Sequence, residues 1–239
     1  MEPGLIVLLG ILGIAVIGAI AYFSWLAEKK RREALFALAV SLGCEYSIED
    51  PLNIPSLLSN IKLFTQGHSR EAKNVIRGKV AGRDVLAFDF KYETTETSTD
   101  SKGHTTTRDV DHWFSACLHP LECPLPYLMI RPEGLLDKVA GFFGFEDIDF
   151  ESDEFSRKFQ VKSDDRKFAY DVCHPQMMSW LLANAGNFSI ELIDSSLVLT
   201  TGRRWSTPEF HSALCFSARF FELIPEHVWR EYRERAGAK

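Results

Sequence analysis

The segment Leu5 to Leu26, LIVLLGILGIAVIGAIAYFSWL, runs for 22 residues without a charge. A helix needs about 20 such residues to cross the hydrocarbon core, because it rises about 1.5 Å per residue and satisfies its own backbone hydrogen bonds. Only Glu2 precedes this run, whereas Glu28-Lys29-Lys30-Arg31-Arg32 follows it at once. A positive flank stays in the cytoplasm, so the pattern predicts a single-pass cell-membrane protein with its N-terminus outside and its C-terminal domain cytoplasmic. Tyr22 and Trp25 stand at that end, where amphipathic rings suit the headgroup level. A secretory signal would instead combine a positive n-region, a shorter apolar core and a small-residue cleavage site, which Met-Glu-Pro at one end and Tyr-Phe-Ser-Trp at the other do not supply.

The rest of the chain reads as a membrane anchor over 1–28, a juxtamembrane helical segment over 29–70 and a cytoplasmic domain over 71–239. Eighteen phenylalanines argue for a packed core. A net charge of -6 gives no general attraction to nucleic acid. Cys44, Cys117, Cys123, Cys173 and Cys215 are odd in number and lack a Cys-x-x-Cys pair, so they read as reduced, small buried hydrophobes.

Periodicity predicts a helix over 29–42 ending at Gly43, a short helix over 56–63, and strands over 74–82 and 83–94. The polar stretch TTETSTDSKGHTTTRD is expected as a long, mobile hairpin loop closed by a strand over 110–118. Further strands are expected at 127–131 and 158–162, with a short apolar helix at 135–143 and an acidic patch over 146–154 between them. A helix near 175–185, a hairpin of 188–191 with 197–200, a long helix from Thr207-Pro208-Glu209 to Leu223, and an amphipathic coda over 228–235 complete the chain. The fold class is α+β: an N-terminal transmembrane helix, then a mainly antiparallel sheet with helices gathered on one face.

No catalytic, cofactor or metal site follows from the motifs. The acidic patch lacks the pattern of an EF-hand, and no nucleophile elbow, phosphate loop or dinucleotide fingerprint is present. His112, Cys117, His119, Cys123, Cys173 and His174 do not have the spacing of a zinc module. The basic and aromatic residues Lys29, Lys30, Arg31, Arg32, Arg203, Arg204 and Trp205 form the candidate contact set for a membrane or a partner.

In outline the chain resembles an uncharacterised group of bacterial single-pass membrane proteins. The resemblance rests on ALFALAVSLGCEY, NVIRGKVAGRDVLAFDFKYE and DIDFESDEFSRKFQVKSDDRKFAYDV after a short anchor. It implies a bacterial inner-membrane setting and a cytoplasmic α+β domain, and brings no activity or binding residue with it.

The expected partners are the lipid bilayer and an integral or peripheral membrane protein, with no nucleic acid and no cofactor. The leading function is that of a non-enzymatic accessory or scaffold protein. One alternative is a headgroup-sensing module whose basic face contains Arg31, Arg32, Arg203 and Arg204. The other is a hydrolase in which several of His112, His119, Asp171, Cys173 and His174 converge on one pocket.

Overall fold

A computed structural model describes residues 3–101, 103–134 and 146–237, with side chains from Leu12 onward. The first element, α1 (Pro3–Ser41), is one unbroken helix that contains the apolar run and continues well beyond it. Between the two no glycine or proline intervenes, and EKKRREALFALA is rich in strong helix formers. Gly43, at φ 68, supplies the left-handed residue that turns the chain out of the helix.

Beyond α1 come β1 (Glu45–Glu49), α2 (Ile54–Leu57), a 3-10 turn (Lys62–Phe64), β2 (His68–Val80), β3 (Arg83–Thr99), β4 (Thr105–Pro120) and β5 (Leu128–Pro132). After them follow α3 (Asp153–Lys158), β6 (Phe159–Ser163), α4 (Arg166–Val172), α5 (Pro175–Asn184), β7 (Ser189–Ile193), β8 (Ser196–Thr200), α6 (Thr207–Leu223) and α7 (Glu226–Gly237). The expected helix at 135–143 lies outside the described residues. Among the described residues all strands join one antiparallel sheet in the order β1-β2-β3-β4-β8-β7-β5-β6. The α+β class expected from the sequence is the class observed.

Alternation along the strands separates two cores. Ile76, Ala87, Cys117, Ile130, Leu197 and Leu199 face the larger one, with Leu35 and Ala39 of α1 and Phe210, Leu214 and Phe221 of α6. Phe88, Phe90, Phe114, Ala116 and Val198 face the other way, and Ile54, Ile61 and Phe64 from α2 and the 3-10 turn cover them. Helices therefore do not gather on one face only. The short apolar stretch between Pro51 and Gly67 is too brief for a long helix, yet it supplies enough buried side chains to close the second face.

Three further expectations change. The polar stretch after Glu93 is not a loop: β3 and β4 stay in register from Leu86↔Leu118 to Thr99↔Thr105. Threonine's β-branched side chain favours extended backbone even without burial, so the ladder runs on to Thr99↔Thr105, beyond which Asp100 N donates to the His104 carbonyl and His104 N to Asp100 Oδ1, each at 2.9 Å. The long helix starts at Thr207 but draws its cap from Ser206, one residue ahead of the expected Thr207-Pro208-Glu209 opening, in a reciprocal capping box with Glu209. Strand β1 and helices α3 and α4 also arise where periodicity over five to seven residues was too short to read.

Candidate functional site at the helix exit

Asp89 of β3 is fully buried. A lone carboxylate there would be prohibitive, and the sequence surrounds it with donors instead. Arg31 Nη1 and Nη2 reach its two oxygens at 2.6 and 3.0 Å. Arg204 Nε donates at 3.1 Å, Asn74 Nδ2 at 2.9 Å and Ser115 Oγ at 2.6 Å. Asn74 can turn inward because it sits at φ 53 within the irregular stretch of β2 between Lys73 and Ile76. Its Oδ1 accepts from Tyr46 Oη at 2.7 Å, and burial pushes that phenol up to about 12.

Glu28, one turn before Arg31, completes the group by accepting from Arg204 Nη1 and Nη2 at 3.0 and 2.9 Å. Burial opposes the charge on Arg204, but Glu28 and Asp89 outweigh it and raise its pKa. Two arginines and two carboxylates thus meet with no net formal charge. Trp205 closes the arrangement: its carbonyl accepts from Arg31 Nη2 at 2.7 Å, and its N–H donates to Ser115 Oγ at 2.9 Å.

The basic and aromatic residues singled out in the sequence divide here. Arg31, Arg204 and Trp205 come together at the clasp, with Trp205 almost wholly buried and its indole N–H on Thr201 Oγ1 at 2.8 Å. Arg203 points away and pairs with Glu209. Lys29 lies 5.6 Å from the centroid of Trp25, Lys30 is exposed, and Arg32 is near Glu28 at 3.6 Å. Asp89, the hub, carried no sequence signal except its place as a charge inside the apolar run AFDF.

The residues of the hydrolase alternative are dispersed. His112 stacks on Tyr92 and bonds Thr94 Oγ1 at 2.7 Å. His174 caps α5, its Nδ1 accepting from Met177 N, and its Nε2 donates to the Leu223 carbonyl at 3.0 Å. Cys173 is buried in apolar surroundings that raise its pKa, and Asp171 pairs with Lys167 at 3.0 Å.

His119 instead joins Cys117 and Ser217, a grouping that spacing could not show because it links β4 to α6. Its Nδ1–H donates to the Asp84 carbonyl at 2.9 Å, which leaves Nε2 to accept from Ser217 Oγ at 2.7 Å. Cys117 Sγ lies 3.7 Å from Nε2. All three are fully buried; desolvation lowers His119 to about 4 and raises Cys117 to about 12. A neutral imidazole and a protonated thiol sealed from solvent make a hydrogen-bonded core contact, not an activated nucleophile.

Glu191 of β7 lies between Met129 and Val198 on the second sheet face, and burial raises it to about 7 against the pull of Arg131. A shallow depression of about 650 Å³ at the other end of β2 contains Glu45, Arg77, Lys79 and Asp84. These pair with one another, Glu45 with Arg77 at 2.6 Å and Lys79 with Asp84 at 3.8 Å. Among the described residues no group of three or more His, Cys, Asp or Glu side chains could hold a metal ion.

No protein-family model matches the sequence, and no curated protein matches it. Among solved structures, one crystal structure superposes over most of both chains, with a TM-score of 0.55 and 14% identity. The chain shares its fold with the mycobacterial trehalose monomycolate transport factor A, TtfA. The match covers 82% of this chain and 95% of the TtfA chain. At that identity TtfA testifies to the architecture alone.

Proposed function

We propose that this chain is a membrane-anchored accessory or scaffold protein whose domain binds a membrane-associated protein. The observation that carries the reading is that one helix serves both compartments. Its first part is long and apolar enough to span a bilayer, and its last part, through Leu35 and Ala39, belongs to the domain core. A cleavable leader has no reason to supply core residues from the same unbroken helix. The clasp at Arg31 and Asp89 then holds the domain at a fixed orientation beside the bilayer, where tethering turns partner encounters into nearly intramolecular events.

In this reading residues 1–28 are the anchor, 29–70 the juxtamembrane segment and 71–239 the cytoplasmic body, with the N-terminus outside. The positive flank Lys29 to Arg32 supports that topology. TtfA, named as a transport factor, shows the same architecture in a protein that the accessory reading resembles in kind, and the role itself rests on α1 and the clasp. The headgroup-sensing alternative draws less support, because Arg31 and Arg204 are committed to Asp89 and Glu28.

The test is gentle detergent extraction of the full-length chain, with mass spectrometry of what co-purifies. A membrane protein recovered at a fixed stoichiometric ratio is the expected result. Recovery of lipid alone across several mild detergents would overturn the reading.

A further inference from the structure

The distal part of the β3–β4 ribbon belongs to neither core. Strand β2 begins opposite Glu93, and β8 pairs no further than Ala116, where the Ser115 N–H turns to the Arg203 carbonyl at 3.0 Å, so from Thr94 and Val110 outward each strand of the ribbon has one free edge. The two strands nevertheless continue together from Thr94↔Val110 to Thr99↔Thr105, exposed except at the first pair. A lone two-stranded ribbon is marginal in water. Here Thr95 Oγ1 on Asp109 at 2.8 Å and Arg108 beside Glu96 at 3.5 Å support it across the strands.

Its direction follows from α1. Arg31 meets Asp89, whereas Cys44, beyond the far end of the helix, lies against Gly78, whose partner on β3 is Val85. Rising numbers along β3 therefore lead toward the bilayer end of α1. From Asp89 to Thr99 the strand covers about 33 Å. Arg31 stands only about 7.5 Å beyond Leu26, the last apolar residue, and the headgroup layer fills about 5–7 Å of that interval. Even well inclined to α1, the ribbon is long enough to reach the headgroup level, and its threonines and charges cannot enter hydrocarbon.

Its charge discriminates between the surfaces available there. Within residues 94–110 Glu96, Asp100 and Asp109 exceed Lys102 and Arg108 by one, and at the base of the ribbon Glu93 and Asp111 share the single cation Lys91, so the ribbon with its base carries two more acids than bases. Anionic headgroups repel such a surface, whereas the cytoplasmic loops of integral membrane proteins carry excess lysine and arginine. We propose that ribbon residues 94–110 are the docking surface for a basic cytoplasmic loop of an integral membrane protein beside α1, which pairs along a free strand edge. This inference rests on the accessory reading and names its surface.

The test uses the full-length chain in native membranes, with a photo-crosslinking residue at Thr97 or Thr107 and a control at Lys79, beside the distant depression. The expected adducts from Thr97 and Thr107 map to a Lys/Arg-rich loop of the same integral protein that co-purifies, and Lys79 gives none. A shortened chain, with 96–108 replaced by Asn-Gly so that the turn joins the paired Thr95 and Asp109, keeps every core residue, should unfold at the same temperature, and should lose at least tenfold in co-purified partner. Adducts to lipid only, or to a second copy of this chain, overturn the inference. A partner retained at full ratio by the shortened chain sinks the ribbon alone, whereas no stoichiometric partner for the full-length chain sinks the accessory reading and the inference with it.

Discussion

Arg31 on α1 forks onto both oxygens of Asp89 on β3, at 2.6 and 3.0 Å, and so ties a helix long and apolar enough to span a membrane to the middle of a sheet. The pair is mostly buried, with 16% and 0% of the two side chains exposed. Removing one partner of such a pair strands the other, at a cost of about 3–5 kcal/mol. Asp89→Ala should therefore destabilise the domain by that amount, lowering Tm by about 10 °C. Arg31→Ala should cost less, since Arg204 still compensates Asp89. Thermal unfolding of the two variants in detergent checks the order, and equal or reversed losses would contradict the hub role given to Asp89.

Glu209 tests the start of α6. It accepts from Ser206 N at 2.7 Å and from Ser206 Oγ at 2.8 Å and pairs with Arg203, which lowers its carboxyl to about 2. A depressed acid contributes stability above its unfolded value near 4.5, and that contribution is lost as pH falls toward 2. Glu209→Ala should cost about 1 kcal/mol at neutral pH, the usual worth of a cap. The difference from wild type should vanish by about pH 2, as pH-dependent denaturant titrations will show.

His119 is shifted in the same direction by a different cause, burial instead of a charged partner. Its folded pKa of about 4 lies below the ordinary 6.5, so the unfolded chain takes up a proton first. Stability present above pH 6.5 is lost as pH falls through that interval to about 4. His119→Gln should flatten this part of the profile. In NMR titration the imidazole of the wild type should stay neutral through pH 5, and a midpoint near 6.5 would show that the site is open to water.

Gly78 probes the turn from α1 into the sheet. A Cβ there would stand 2.7 Å from Cys44 Sγ and 3.0 Å from Cys44 Cα, and the backbone of Cys44 cannot yield as a side-chain tip can. Gly78→Ala should destabilise by about 1–3 kcal/mol, the usual cost of overpacking. Chemical denaturation reads the loss, and Gly78→Ala with Cys44→Ala should recover only part of it.

Thiol accessibility gives a simple check on the cores. Cys215 is exposed, while Cys44, Cys117, Cys123 and Cys173 are buried. A maleimide should label one thiol quickly in the folded chain and the other four only on unfolding. Two or more fast thiols would mean that the larger core is looser than described.

The long-range pattern of this fold was legible because its signals are long. The charge-free run before Glu28, the β-branched and aromatic strands around Phe88 and the Pro208-Glu209 helix start each extend over enough residues to show a period. Short elements such as β1 and α4 offer too few turns or alternations for that. The ribbon was misread because its threonines look like loop composition, although their backbone preference is extended. The clasp lay half in view: Arg31, Arg204 and Trp205 stood out as chemistry, but their common partner Asp89 is a single residue brought to them by the register of β3. His119 and Ser217, 98 positions apart, meet only through packing of α6 on β4.

With α1 as the membrane anchor proposed above, unbroken from its apolar run to Ser41, the spacing between Trp25 and Arg31 works as an angular code. Each residue in that interval turns the lipid-facing side of the helix by about 100° relative to the domain and moves it by about 1.5 Å. One inserted alanine would swing the ribbon to another side of the anchor while leaving both cores intact. The compass bearing of the domain on the membrane is thus written in the number of residues before the clasp, rather than in the sequence of any surface.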